Sequence, residues 1–150
     1  MAKKVFVSGC FDLLHSGHVA FFRDAARYGD VYVALGSDQT IYSLKGRPTV
    51  NDEQERLFMV KSVVWVKDAF ISRGSGLLDF EAELREMQPD YFVVNFDGDT
   101  PEKRQLCLEL GIEYVVLERK PYAGLAGRST TALRGRDYLP YRIDLAGGWL

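Results

Sequence analysis

Five short runs of apolar, β-branched or aromatic residues recur along the chain, at Val5–Val7, Val31–Leu35, Trp65–Ile71, Tyr91–Val94 and Tyr114–Leu117. They are mostly apolar on both faces and separated by segments of helical period, the pattern of parallel strands covered on both sides. Punctuation marks the helices. Thr100 is a cap before Pro101, Leu106 and Leu110 fall four apart, and Gly111 supplies a stop. Asn51 and Gln54 form a capping-box-like start before Leu57, Val60 and Val64. Leu77, Phe80, Leu84 and Met87 make a third stripe, closed by Pro89-Asp90. The expected fold is α/β: a Rossmann-like, doubly wound parallel five-stranded sheet with helices on both faces. Ligands in such sheets sit beyond the carboxyl ends of the strands.

With 150 residues, 47% of them hydrophobic, the chain has enough material for one domain with a core of its own. The 19 Lys plus Arg stand against 21 Asp plus Glu, a net charge of −2, so no global field attracts nucleic acid or an anionic membrane. There is no apolar stretch of signal-peptide or membrane-span length, which makes the cytoplasm the expected location. Cys10 and Cys107, far apart in sequence, imply no disulfide framework.

The chemistry concentrates in residues 9 to 18, Gly-Cys-Phe-Asp-Leu-Leu-His-Ser-Gly-His, directly after the first strand. A helix starting near Gly17 presents unpaired N–H groups and its positive dipole end to an anion. Gly9 and Gly17 remove side chains where a phosphate must approach backbone. His15 and His18, the two histidines of the chain, lie one helical turn apart and can donate to one phosphate group. Cys10, His15 and His18 also offer a three-ligand zinc set, though no further Cys or His lies near in sequence. Ser37-Asp38 and Asn95-Phe96-Asp97 are at strand ends too, on the side where a ligand would lie.

The combination of Gly9-Cys10-Phe11-Asp12 with His15-Ser16-Gly17-His18 resembles the signature of the cytidylyltransferase-like nucleotidyltransferase superfamily, G-x-F-D followed by H-x-G-H. The resemblance covers roughly residues 4 to 135 and is nearest to the branch acting on sugar phosphates and glycerol phosphate. Leu44-Lys45-Gly46-Arg47-Pro48 looks like the family's basic loop, and Arg56 stands where members often carry an arginine. Gly127-Arg128-Ser129-Thr130-Thr131 resembles the second signature, and Arg119 corresponds to the arginine that opens it in the glycerol-phosphate branch. Cys10 replaces a common Thr, and Asn95-Phe96-Asp97-Gly98-Asp99 replaces a Gly or Lys-Gly followed by acidic residues.

The resemblance implies transfer of a nucleoside monophosphate from CTP or ATP to a small phosphorylated acceptor, with release of pyrophosphate. It makes His15, His18 and Lys45 catalytic: the histidines hold phosphate oxygens, and Lys45, on a mobile loop, bridges donor and acceptor. Gly9, Cys10, Phe11, Asp12, Gly17, Asn95, Phe96, Asp97, Ser129, Thr130 and Thr131 would bind nucleotide. Asp38, Arg56, Arg119 and Arg128 would meet the acceptor or other phosphates. Mg²⁺ is expected as the triphosphate's counter-ion, with Asp12 either orienting its water shell or bonding the loop's own backbone. A homodimer is a further expectation.

Residues 1–136 would form this transferase domain, and 137–150 an extension. Within the extension Pro140-Tyr141-Arg142-Ile143-Asp144-Leu145-Ala146-Gly147-Gly148-Trp149 resembles the opening strand of the GHMP small-molecule kinases. A fused kinase would supply a sugar 1-phosphate, the expected acceptor. Glycerol 3-phosphate and FMN are the alternatives, and a nucleotide-binding module without catalysis is the non-enzymatic one.

Overall fold

A computed structural model of the chain describes residues 2–118, 121, 123–130 and 133. Arg119, Thr131 and the extension 137–150 therefore lie outside the described residues. Strands β1 (Lys4–Gly9), β2 (Asp30–Leu35), β3 (Val66–Ile71), β4 (Tyr91–Asn95) and β5 (Glu113–Leu117) form one sheet in the order β3-β2-β1-β4-β5. Every pairing is parallel, with Val5 opposite Val31 on one side and Tyr91 on the other. The connections are α1 (Ser16–Ala25), α2 (Asp38–Lys45), α3 (Glu53–Lys61), α4 (Glu81–Met87) and α5 (Pro101–Leu110). This is the expected doubly wound α/β fold.

Strand alternation divides the core into two layers. Val5, Val7, Val31, Val33 and Val93 face Phe22 and Ala25 of α1 and Val60 of α3. Phe6, Ala34, Phe92 and Val94 face Leu84 of α4 and Leu106 and Cys107 of α5. Phe6 anchors the second layer, its ring 5.8 Å from Phe80 and 5.4 Å from Phe92. The chain leaves β1 over one face to reach β2 and returns over the other to β4. That reversal opens a crevice at the carboxyl ends of β1 and β4.

Three local expectations shift. Helix α3 is capped by Asp52, whose carboxylate accepts from the Glu55 N–H at 2.9 Å, and not by Asn51. It ends at Lys61, which leaves Val64 outside and 84% exposed. Helix α4 begins only at Glu81, so Leu77 is exposed while Phe80, at the cap, is buried. Thr100, Pro101 and Gly111 do bound α5 as their residue types require. Among the described residues no helix is long and apolar enough to cross a membrane.

Candidate active site

The turn after β1 is shaped by its glycines and by left-handed backbone. Phe11 and Leu13 have φ of 53° and 50°. Phe11 folds its ring back under the strand end, where a Cβ on Gly9 would lie 2.8 Å from it. The buried ring also packs edge-on to His18, with centroids 5.3 Å apart. His15 is the N-cap of α1: its Nδ1 accepts from Gly17 N–H at 3.1 Å, while His18 Nδ1 accepts from His15 N–H at 3.2 Å. Two histidines thus make the reciprocal capping box usually built from Ser or Thr and Glu. The rings stack with centroids 3.8 Å apart and planes at 23°. A backbone N–H can only donate, so each Nδ1 is an acceptor and each neutral ring carries its proton on Nε2. Gly17 makes this possible, since a Cβ there would come within 2.9 Å of the His15 ring. The first turn of α1 holds no acidic side chain to neutralise its positive end.

A cleft of about 240 Å³ opens over this turn. It brings together Gly9, Cys10, Phe11, Asp12, His15, Gly17 and His18 with Lys45, Arg47 and Thr49, with Asn95, Asp97 and Gly98, and with Thr130. Lys45 is the last residue of α2, followed by Gly46 at φ 72°, so it sits on a capped helix end and not within a loop. The second signature reaches the first through the Thr130 hydroxyl, which donates to the Asp12 carbonyl at 2.8 Å. The Ser129 carbonyl accepts from Leu133 N–H at 3.0 Å.

Several expected contacts take other roles. Arg56 is 1% exposed; its guanidinium donates to the carbonyls of Asn51 (3.1 Å), Cys10 (2.9 Å) and Gly36 (2.9 Å) and to Asp38 Oδ1 (2.8 Å). It clamps the ends of β1 and β2 to the loop before α3 and is committed to protein acceptors, not to a phosphate. Asp38 lies outside the cleft lining and is likewise engaged, accepting from the Thr49 hydroxyl and the Glu53 N–H. Burial pushes its carboxyl up, but the Arg56, Glu53 and Thr49 bonds outweigh this and hold it below the usual range.

Asp12 is 3% exposed and accepts from the N–H groups of Leu13, Val50 and Asn51. It bonds backbone, as one of its two expected roles required, but mainly that of a different loop. Phe96 is 61% exposed and, with Arg128 and Ser129, is not part of the cleft lining. The zinc set does not assemble either, because among the described residues no three His, Cys, Asp or Glu side chains group to hold a metal ion. Cys107 is core, and burial pushes its thiol up to about 11.

Sequence reading missed Lys103, which lines the cleft from the first turn of α5. A usable signal existed: a lysine three residues after a Thr-Pro helix start opposes the helix dipole.

The description "Cytidylyltransferase-like" belongs to the family model that matches residues 6–136. The chain belongs to this family. It is a nucleotidyltransferase, an enzyme that binds a nucleoside triphosphate and a small acceptor. Among curated relatives, the FAD synthase of Aciduliprofundum boonei is 34% identical over 122 residues, covering 79% of each chain. The FAD synthase of Pyrococcus horikoshii is 30% identical over 135 residues, 86% of this chain and 87% of its own. Among solved structures, a lipopolysaccharide core biosynthesis protein from Thermoplasma volcanium superposes with a TM-score of 0.67 at 23% identity, over 81% of this chain and 99% of its own. The pantoate-β-alanine ligase of Francisella tularensis gives 0.61 at 14% identity, over 96% of this cytidylyltransferase-like chain and 69% of its own, a likeness of fold.

Proposed function

We propose that this nucleotidyltransferase transfers the AMP moiety of ATP to FMN, forming FAD and pyrophosphate. The observation that carries the reading is the set of FAD synthases that match it over most of both chains. It replaces the sugar 1-phosphate as leading acceptor, since none of these relatives is named for sugar nucleotide synthesis. The FMN phosphate oxygen attacks the α-phosphorus of ATP, a new P–O bond forms, and the bond to the β-phosphate oxygen breaks with its electron pair on the departing pyrophosphate. Such a transfer needs alignment and stabilisation of charge on phosphate oxygens.

His15 and His18, with Nε2–H directed by their capping bonds, donate to those oxygens, and the N-terminus of α1 adds its dipole. Lys45, together with Arg47, meets the acceptor phosphate from the opposite wall. Asn95 and Asp97 line the end suited to a nucleoside, and Thr130 fixes the turn. Mg²⁺ enters with the triphosphate as part of the substrate; the Asp12 carboxylate accepts from three backbone N–H groups and so holds the loops of the site together.

The test is pyrophosphate release with ATP or CTP against FMN, glycerol 3-phosphate and sugar 1-phosphates. Turnover with ATP and FMN, with FAD as product, is expected. A second reading keeps the sugar 1-phosphate, favoured by the kinase-like residues 140–149. Turnover with a sugar 1-phosphate and none with FMN would establish it instead.

A further inference from the structure

One wall of the cleft is acidic. Asp97 lines it, Asp99 follows in sequence, and Asp79, only 9% exposed, is outside the lining but close enough to act on Lys103. All three carboxylates act on Lys103, a residue with no part in the chemistry above. Lys103 is the third residue of α5, its backbone N–H bonded to the Thr100 hydroxyl oxygen at 3.2 Å and its Nζ donating to the Gly98 carbonyl at 2.8 Å. A cation at the positive end of a helix, partly withdrawn from water, is costly twice over. Burial draws the ammonium down from its ordinary range, and the three carboxylates only partly restore it. The carbonyl bond uses one of three N–H donors; the side chain that carries the others borders the cleft.

Two anions must meet over the histidine pair, and the cleft is lined by Lys45 and Arg47 at the end of α2, which follows β2, and by Lys103 of α5, which follows β4, so that the cations come from elements on the two sides of β1. The carboxylates and carbonyls around Lys103 suit the hydroxyl and amino donors of a nucleoside but would repel its phosphates. An ammonium at that place offsets the repulsion. We propose that Lys103 is a nucleotide-binding residue, which anchors the Phe96–Gly98 turn and presents its remaining N–H groups to the nucleotide at the junction of nucleoside and α-phosphate. The proposal rests on nucleotidyltransferase activity and not on FMN as acceptor.

The experiment is calorimetric binding of ATP and of CTP, each with Mg²⁺ and no acceptor, to the whole chain and to Lys103→Met, Lys103→Gln and Lys103→Arg. Binding should weaken about tenfold or more in the Met variant, the scale of a charge-assisted hydrogen bond. Gln can still donate to Gly98 but carries no charge, so it should keep the thermal midpoint while losing affinity, and Arg should recover part of it. Nucleotide affinity within twofold of wild type in Lys103→Gln would overturn the proposal. So would affinity that falls only in proportion to a lower thermal midpoint across the series, since Lys103 would then merely hold the turn. Nucleotide binding is read alone, so failure of FMN turnover leaves this test intact.

Discussion

The Thr130 hydroxyl and the Asp12 carbonyl meet at 2.8 Å across 118 positions of sequence, joining the last described segment to the turn that carries the histidines. A single neutral hydrogen bond contributes about 0.5–1.5 kcal/mol. Thr130→Val should therefore cost about 1 kcal/mol in urea unfolding yet lower kcat/KM by about tenfold or more, because it releases one side of the site. Equal, small effects on both would show that the bond only tethers the segment around Thr130.

The mutual cap of His15 and His18 gives each residue two separable duties. His15→Ala should lower turnover at least about a hundredfold, the scale of losing one preorganised donor, and also destabilise the domain by about 0.5–2 kcal/mol through the lost cap. His15→Asn should recover much of the stability, since Asn is a good N-cap, without recovering kcat. If Asn restores turnover as well, the Nε2–H donor has no role in the transfer.

Arg56 is expected to behave as a structural clamp. Arg56→Met takes the guanidinium from three carbonyls and from the Asp38 carboxylate, which keeps only the Thr49 hydroxyl and Glu53 N–H, and removal of one partner from a buried pair typically costs about 3–5 kcal/mol. The half-exposed Asp38 places the expectation near the lower figure. Chemical denaturation checks it. A variant of wild-type stability with a raised KM for the acceptor would return Arg56 to a phosphate-binding role.

Asp79 should make stability fall as pH rises. Burial, with the nearby Glu83 charge, pushes its carboxyl up to about 6, from an ordinary 3.8. Between these values the folded state holds a proton that the unfolded state has lost, so unfolding free energy declines with pH over that window and the penalty is complete above it. Asp79→Asn should flatten the profile between about pH 4 and 6 relative to wild type. Parallel wild-type and variant profiles of thermal midpoint against pH would show that Asp79 ionises normally.

What the sequence made legible follows from how its signals arise. The central strands β1, β2 and β4 lie where apolar runs place them, because buried strands carry few polar positions to confuse the reading, and the edge strands β3 and β5 keep enough apolar residues to be found despite Lys67, Asp68 and Glu113. Helix starts were less legible. Asn51 and Asp52 are adjacent, competent caps, and the Arg56 bond to the Asn51 carbonyl, a tertiary contact, accompanies capping by Asp52. Residue type also does not tell where a side chain points: Arg56 turns inward to carbonyls, whereas Lys103 reaches the cleft from a helix start that looked complete with Thr100 and Pro101. Phe96, expected to bind nucleotide, is exposed for the same reason: its residue type does not carry its orientation.

Asp12 gives the segment before α3 an unexpected rank in the dynamics of the molecule. The amides of Val50 and Asn51 belong to no helix or strand, yet both donate to its buried carboxylate, at 2.7 and 2.9 Å. With Arg56 holding the Asn51 carbonyl, this irregular stretch is fastened as firmly as a ladder position. In hydrogen exchange its protons should therefore persist with those of the central strands and be released only when the sheet itself opens. Substrate-driven motion is left to the exposed side chains of Lys45 and Arg47, which ride at the edge of a wall that does not yield.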